Sequence, residues 1–316
     1  MDEQKFVAYL KRQFPFRRGL GIGDDASVVR SNGHFQLVSC DILIEDVHFR
    51  LQDISLRQLA LKALAVNVSD IAAMGGRAQY FYLGLGFPGR LTGRDLHQFF
   101  AGLRQGCREW DVELAGGDYS RAQKMSIAIT IIGQCQKPVL RSGARPGDLI
   151  AVTGPTGESA LGLKQLLAGV TRSPFIRTHQ KPQPQCAQGL LLSAYASAMI
   201  DVSDGLLLDL SRLLAASGTG AEIDYGKIPI SPSFRRACRQ QHCSEKELVL
   251  AGGEDYQLLF AVSPRRESRL RQTKMAYHVI GRVTAGRRLL VREDGRPLQV
   301  AVFGFDHFRE KPAGMK

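Results

Sequence analysis

Carboxylates set in short glycine-bearing clusters are the residues of this chain best suited to chemistry. Gly21-Ile22-Gly23-Asp24-Asp25 is followed by Ser39-Cys40-Asp41 and by His48. Further along come Asp70, Gly116-Gly117-Asp118, Asp201-Val202-Ser203-Asp204 and Gly252-Gly253-Glu254-Asp255. Asp and Gly are poor strand formers, so an Asp pair behind Gly-x-Gly predicts a tight turn between elements. Several carboxylates gathered at one turn repel one another, and a cation must relieve that repulsion. Oxygen ligands without thiolates or paired histidines suit Mg²⁺, Mn²⁺ or Ca²⁺ rather than zinc. Mg²⁺ beside glycine-rich turns points to phosphate chemistry.

Each of these residues also has an ordinary explanation. Asp24 and Asp25 fit an Asx turn, though Asp41 adds a third acid nearby. Asp70 falls in the final turns of an expected helix, where the dipole disfavours a carboxylate unless a cation compensates; otherwise it is a solvated surface residue. Asp204, before Gly205-Leu206-Leu207-Leu208, fits the N-cap of the next helix. Asp201, at an expected strand end, has no such role. His48, between Val47 and Phe49, suits packing or a surface. Arg141 is one of 42 basic residues, and its position alone does not single it out. The common phosphate-transfer signatures are missing: residues 154–159, Gly-Pro-Thr-Gly-Glu-Ser, lack the phosphate-loop lysine, and neither H-R-D nor D-F-G occurs.

The elements that must position these groups follow from periodicity. A short helix is predicted over 3–13 and strands over 26–30 and 35–40, either side of the first acidic turn. Residues 56–74 carry apolar residues at three-and-four spacing and end at Gly75-Gly76, a helix with its stop signal. A strand over 79–87, a helix over 92–110 and a short strand over 112–115 follow, then a Gly116-Gly117-Asp118 turn and a strand over 125–133. Glycine-acid turns at strand ends are where α/β sheets bind ligands. Pro138, Gly143, Pro146 and Gly147 mark a boundary, giving domains 1–137 and 138–316. The second half predicts strands over 148–153, 198–200 and 256–262. Helices are expected over 158–167, 184–196, 206–217, 232–241 and 244–250. Residues 114–119 echo residues 250–256, which suggests related halves or coincidence.

At 316 residues, with 44% hydrophobic and 23% charged residues, the chain suits about two globular domains. Six cysteines without C-x-x-C spacing read as reduced cytosolic thiols. No apolar signal core opens the sequence and no run is fit to span a membrane, so a cytoplasmic protein is expected. The net charge of +12 reads first as a solvated basic surface, then as attraction of small polyanions. Its basic segments lack interleaved aromatics and any nucleic-acid motif, which argues against nucleic acid.

The motifs taken together carry a resemblance. Gly21 to Ala26, Ser39-Cys40-Asp41, Val47-His48-Phe49, Ala65 to Gly75, Gly116-Gly117-Asp118, Arg141-Ser142-Gly143-Ala144, Asp201 to Gly205 and Gly252 to Tyr256 occur in that order. The ordered set closely resembles the thiamine-monophosphate kinases, relatives of aminoimidazole-ribonucleotide synthetase, from about residue 20 to Phe308. The resemblance implies two α/β domains, with N-terminal domains pairing across a homodimer into a β-barrel. It implies ATP and several Mg²⁺ ions in the cleft, and phosphorylation of thiamine monophosphate to thiamine diphosphate. By the same resemblance Asp25, Ser39, Cys40, Asp41, Asp70, Asp118, Asp201 and Asp204 match metal positions. Gly117, Asp118, Arg141 and Ser203 match nucleotide contacts, and His48, Glu254 and Phe305 match acceptor contacts. Cys40 stands where the family usually has Thr, which matters only if that position binds through its side chain. A related ATP-dependent synthetase and a non-catalytic nucleotide- or divalent-binding regulator are the alternatives. A selenophosphate synthetase would need a reactive Cys or Sec near the N-terminus, and the hydrogenase-maturation relative a C-terminal Cys; neither stands in this sequence.

Overall fold

The computed structural model describes residues 3–31, 33–300 and 304. The first half contains α1 (Glu3–Gln13), β1 (Gly19–Leu20), β2 (Ser27–Ser31), β3 (His34–Ile44), α2 (Leu56–Ala73), β4 (Arg77–Pro88), α3 (Gly93–Trp110), β5 (Glu113–Ala122) and β6 (Ser126–Cys135). Its strands form a mixed six-stranded sheet in the order β1-β2-β3-β6-β4-β5. Alternation decides its two faces. Leu37, Leu43, Phe81, Leu83, Ile127 and Ile129 turn inward to a core with α2 and α3, while Ile42 and Tyr82 on the other face remain exposed. Both helices open on capping boxes, Ser55 with Gln58 and Thr92 with Asp95, which satisfy backbone donors that the first turn leaves without partners.

The second half contains β7 (Leu149–Val152), α4 (Glu158–Leu167), α5 (Pro174–Gln180), α6 (Cys186–Leu192), β8 (Ala198–Asp201), α7 (Leu206–Ser217), β9 (Gly220–Asp224), α8 (Pro232–Gln240), α9 (Glu245–Ala251), β10 (Leu258–Val262), α10 (Pro264–Leu270), β11 (His278–Thr284), β12 (Leu289–Glu293) and β13 (Arg296–Pro297). Its mixed seven-stranded sheet runs β13-β12-β9-β11-β7-β10-β8. Strand β10, Leu-Leu-Phe-Ala-Val, is buried along its whole length, as a strand covered on both faces must be. The molecule is thus a two-domain α/β fold with two mixed sheets.

Helix α2 joins the halves. It is buried almost all round, as expected of a helix enclosed by structure on every side. One side packs on the first sheet. Its end, at Ala73, joins Val139, Leu192, Met199 and Phe260 in a separate apolar cluster. The polar residues that this helix buries are Lys62, Asn67 and Ser69, and burial requires that each find a partner.

Two expectations differ from the fold. The turn expected at Gly116-Gly117-Asp118 is strand: β5 runs through it, paired in parallel with β4. A Cβ at Gly117 would stand 2.0 Å from the Leu83 carbonyl oxygen, so the glycine permits close strand approach rather than a turn. The similar residues 250–256 end α9 and enter a loop, so the echo does not mark equivalent structures. The helix expected over 184–196 is confined to Cys186–Leu192, and α5 had no counterpart in the periodicity. Helices this short offer too few turns for a pattern to register.

Candidate active site

The acids meet where α2 passes between the sheets. Asp25 follows the first turn, Asp70 lies in the last turn of α2, and Asp201 ends β8. One oxygen from each lies within 4.8 Å of the others. The helix supplies the stitching. Ser69 Oγ donates to Asp201 Oδ2 at 2.5 Å, crossing between halves. Ser39 Oγ, on β3, donates to Asp70 Oδ2 at 2.5 Å. Asn67 Oδ1 accepts from the Asp41 backbone N–H at 3.2 Å, while its Nδ2 donates to the Ala63 carbonyl at 2.9 Å. Arg141 enters from the segment between the domains. Its guanidinium meets Asp25 Oδ1 at 2.5 Å and its backbone N–H donates to Asp24 Oδ1 at 2.6 Å.

Electrostatics at this cluster favour a cation. Burial, then the neighbouring Asp41, Asp201 and Asp25, push the Asp70 carboxyl well above its ordinary range, against the Ser39 hydrogen bond. Asp201 is raised by burial and by Asp25, with the Ser69 bond opposing. Burial, Asp204 and Asp25 push Asp41 up to about 6. Asp24 also rises to about 6, mainly through burial. Asp25 Oδ2 is buried without a hydrogen-bond partner among the described residues. A buried carboxylate oxygen without a donor, facing two more carboxylates, fits a hard divalent cation.

The second half contributes two loops laid together. Glu254 N–H donates to the Ser203 carbonyl at 2.7 Å, and Tyr256 N–H to the Val202 carbonyl at 2.9 Å. A Cβ at Gly253 would come within 2.4 Å of the Ser203 carbonyl oxygen, so the contact needs glycine. Glu254 and Tyr256 both hold left-handed backbone, with φ of 65° and 51°, a conformation that clusters at functional sites. The Asp204 side chain does not cap α7. It pairs with Arg212 at 2.5 Å. Asp209, inside the helix, takes the capping role: its Oδ2 accepts from the backbone N–H groups of Ser203, Asp204 and Gly205 at 3.0–3.1 Å. Asp255 similarly accepts from Gly157 and Ser159 N–H at the start of α4. Glu254 instead faces Lys62 at 2.8 Å and His179 Nδ1 at 3.2 Å.

The remaining expected residues are distributed unevenly. His48 Nδ1 accepts from the Ile44 backbone N–H at 3.0 Å. Cys40 points away from the acids: it is exposed, and its Sγ accepts from Thr130 Oγ1 at 3.3 Å on the outer sheet face. A Thr-for-Cys difference therefore costs no side-chain ligand in the cluster. Asp118 is also apart from the three carboxylates. It is exposed on the edge strand β5, in one cross-strand row with Gly84, Ala128 and Ile42. Gly117 lies beside it in the adjacent row with Leu83. Phe305 lies outside the described residues. The sequence reading missed Lys62, Asn67, Ser69, His179, Asp209 and Arg212. For Lys62, Asn67 and Ser69 the signal was available: a long apolar helix with few polar residues must bury those it has.

Family models for AIR synthase related proteins match the chain in two parts, the N-terminal domain over residues 23–135 and the C-terminal domain over 145–293. The thiamine-monophosphate kinase of Bacillus subtilis (strain 168) is 34% identical over 308 residues, covering 92% of this chain and 94% of its own. That of Escherichia coli (strain K12) is 35% identical over 302 residues, covering 92% of each. The chain belongs to the thiamine-monophosphate kinase family. A solved structure described as AaThiL complexed with AMPPCP and TMP superposes with a TM-score of 0.89 at 32% identity, covering 97% of both chains. Similarity over nearly the full length of these kinases means that the carboxylate cluster and both of its supporting domains fall inside the shared fold. Among the described residues, no helix is long and apolar enough to cross a membrane.

Proposed function

We infer that this chain is a thiamine-phosphate kinase, transferring the γ-phosphoryl group of ATP to thiamine monophosphate. The observation that carries the reading is the meeting of Asp25, Asp70 and Asp201 from both halves of a kinase-family fold. Such a reaction brings two polyanions together, and carboxylates alone would repel them. Asp25, Asp70 and Asp201 would hold Mg²⁺ here, and the ion would supply the positive charge that offsets this repulsion. We assign its ligands to Asp25, Ser39, Asp41, Asp70, Asp118, Asp201, Asp204 and the Cys40 main chain. Gly117, Asp118, Arg141 and Ser203 are assigned to ATP, and His48, Glu254 and Phe305 to the acceptor. The domains divide as 1–137, for nucleotide, metal and pairing, and 138–316, which completes the cleft.

The chain's own part is to hold and orient. The acceptor's phosphate monoester is largely dianionic at neutral pH, its second pKa being about 6, so no general base is needed. Arg141 places a cation beside Asp25, where it meets charge on the nucleotide. Ser69 and Ser39 fix the directions of Asp201 and Asp70, so the ligands need little rearrangement at the moment of transfer. The exposed outer face of the first sheet supports pairing into a homodimer. Its six thiols, all free, suit the reducing cytoplasm. The test is ADP formation with Mg²⁺, with and without thiamine monophosphate. ADP that appears only with the acceptor, and not in EDTA, is expected; acceptor-independent or EDTA-resistant turnover would overturn the reading.

A further inference from the structure

Lys62 is 1% exposed, in the middle of α2, with Leu59, Ala63 and Val66 buried around it. Lysines are almost never buried this far unless paired. Its Nζ lies 2.8 Å from Glu254 Oε1, and the pair spans the two halves of the molecule. Glu254 Oε2 lies 3.2 Å from His179 Nδ1, and Ser159 Oγ stands 3.0 Å from the same nitrogen. Burial, and then Lys62, push the His179 imidazole down to about 4 against the pull of Glu254, so the ring is neutral at pH 7. A carboxylate only accepts hydrogen bonds, so the Nδ1 that faces it carries the ring proton. Glu254 therefore has one full cation and one neutral donor. Burial works against its charge, but Lys62, by its charge and its hydrogen bond, leads the groups that hold the carboxyl below the usual range.

Stability alone gives no reason for this arrangement. A buried ion pair is commonly no better than apolar residues of the same volume. Glu254 also sits at a φ of 65°, which a glutamate adopts only under constraint from its surroundings. Its side chain keeps 29% exposure. The outcome is a carboxylate held at both oxygens, with one side left open.

We propose that Lys62 is a positioning residue for the acceptor: with His179 it locks the Glu254 carboxylate, across the domain boundary, in the orientation that receives the cationic, amino-bearing heterocycle of the phosphorylated acceptor. This rests on the reading above, in which Glu254 contacts that acceptor. Lys62 is buried and its Nζ is directed at Glu254, so its effect falls on acceptor recognition and not on ATP.

Steady-state kinetics with each substrate varied separately tests this on the full chain. Lys62→Met should raise KM for thiamine monophosphate about tenfold or more, and leave KM for ATP within about twofold. The double variant Lys62→Met/Glu254→Gln should be no worse in kcat/KM than Glu254→Gln alone, because Lys62 acts only through that carboxylate. The double variant buries no lone charge, and Glu254→Gln still offers Lys62 an amide oxygen to accept its hydrogen bond, so the comparison survives if Lys62→Met fails to fold. Equal rises in both KM values, an unchanged acceptor KM, or additive losses in the double variant would overturn the proposal. A wild-type enzyme that makes no ADP with thiamine monophosphate would instead remove the acceptor assignment on which it stands.

Discussion

Asp41 shows how burial and repulsion at single residues become measurable. Its carboxyl sits near 6, against an ordinary value of 3.8. As pH rises, the unfolded chain releases this proton first, so Asp41 lowers folding stability progressively from about pH 4 to about pH 6, and the loss persists above. Asp41→Asn has no such loss. The melting temperature of Asp41→Asn minus that of the wild type, both in EDTA, should therefore grow by several degrees across that window and then level off; a difference that stays flat with pH would refute the assignment. At pH 7.5 the same variant should lose about two orders of magnitude in kcat, comparable to removing one preorganised electrostatic contact. Arg141→Ala tests the opposite charge. It strips Asp25 of the guanidinium at 2.5 Å, so the metal-free protein should melt lower at neutral pH. KM for ATP should rise by the equivalent of about 1.5–3 kcal/mol, the worth of a charge-assisted contact. At this scale the sequence identified acids by type and by their glycine neighbours, and Asp25, Asp70 and Asp201 do converge. It did not identify which residues hold them. Ser69 and Lys62 look ordinary in one dimension, because their burial comes from a second domain closing over α2.

Elements were legible where pattern length was sufficient. The helices Glu3–Gln13, Glu158–Leu167 and Leu206–Ser217 fall on the bounds expected from periodicity, since each spans several turns. Short α5 and the truncated α6 did not register, and Gly116-Gly117-Asp118 misled because glycine serves close strand approach as well as turns. The start of α7 misled for a different reason. Sequence rules place a cap just before a helix, whereas here a residue in the first turn reaches back. Asp209 is fully buried, and burial with Asp204 pushes its carboxyl up to about 7 despite Arg212 and three backbone donors. It holds the whole Asp201–Gly205 loop in place. Asp209→Ala should thus cost about 1–3 kcal/mol through backbone groups left unsatisfied, seen in urea unfolding. It should lower kcat as well, although Asp209 itself is not proposed to touch either substrate. Full activity in a folded Asp209→Ala would show that the loop holds its shape without this brace.

For the whole molecule, the proposed pairing falls on the face of the first sheet turned away from α2. Ile42 and Tyr82 are 49% and 46% exposed there, and Leu114 and Tyr119 on the edge strand are 46% and 56% exposed. Large apolar side chains exposed on a sheet face mark a surface that a partner covers, and pairing two such sheets would cover Ile42 and Tyr82. Asp118 belongs to the same face, in the row of Ile42, Ala128 and Gly84, so the proposed pairing and the proposed nucleotide contact would share one surface. Sedimentation of the wild type should give twice the chain mass of 34.8 kDa. Ile42→Glu with Tyr82→Glu places like charges at the pairing face and should return the single-chain mass. Because both side chains are already half exposed in one chain, each domain should keep its fold, with far-ultraviolet circular dichroism unchanged. KM for ATP should rise in the separated form, because Asp118 would then stand in open solvent. A wild type that sediments as one chain, or a separated variant with an unaltered KM for ATP, would detach Asp118 from the nucleotide site and leave the carboxylates beneath α2 to act without it.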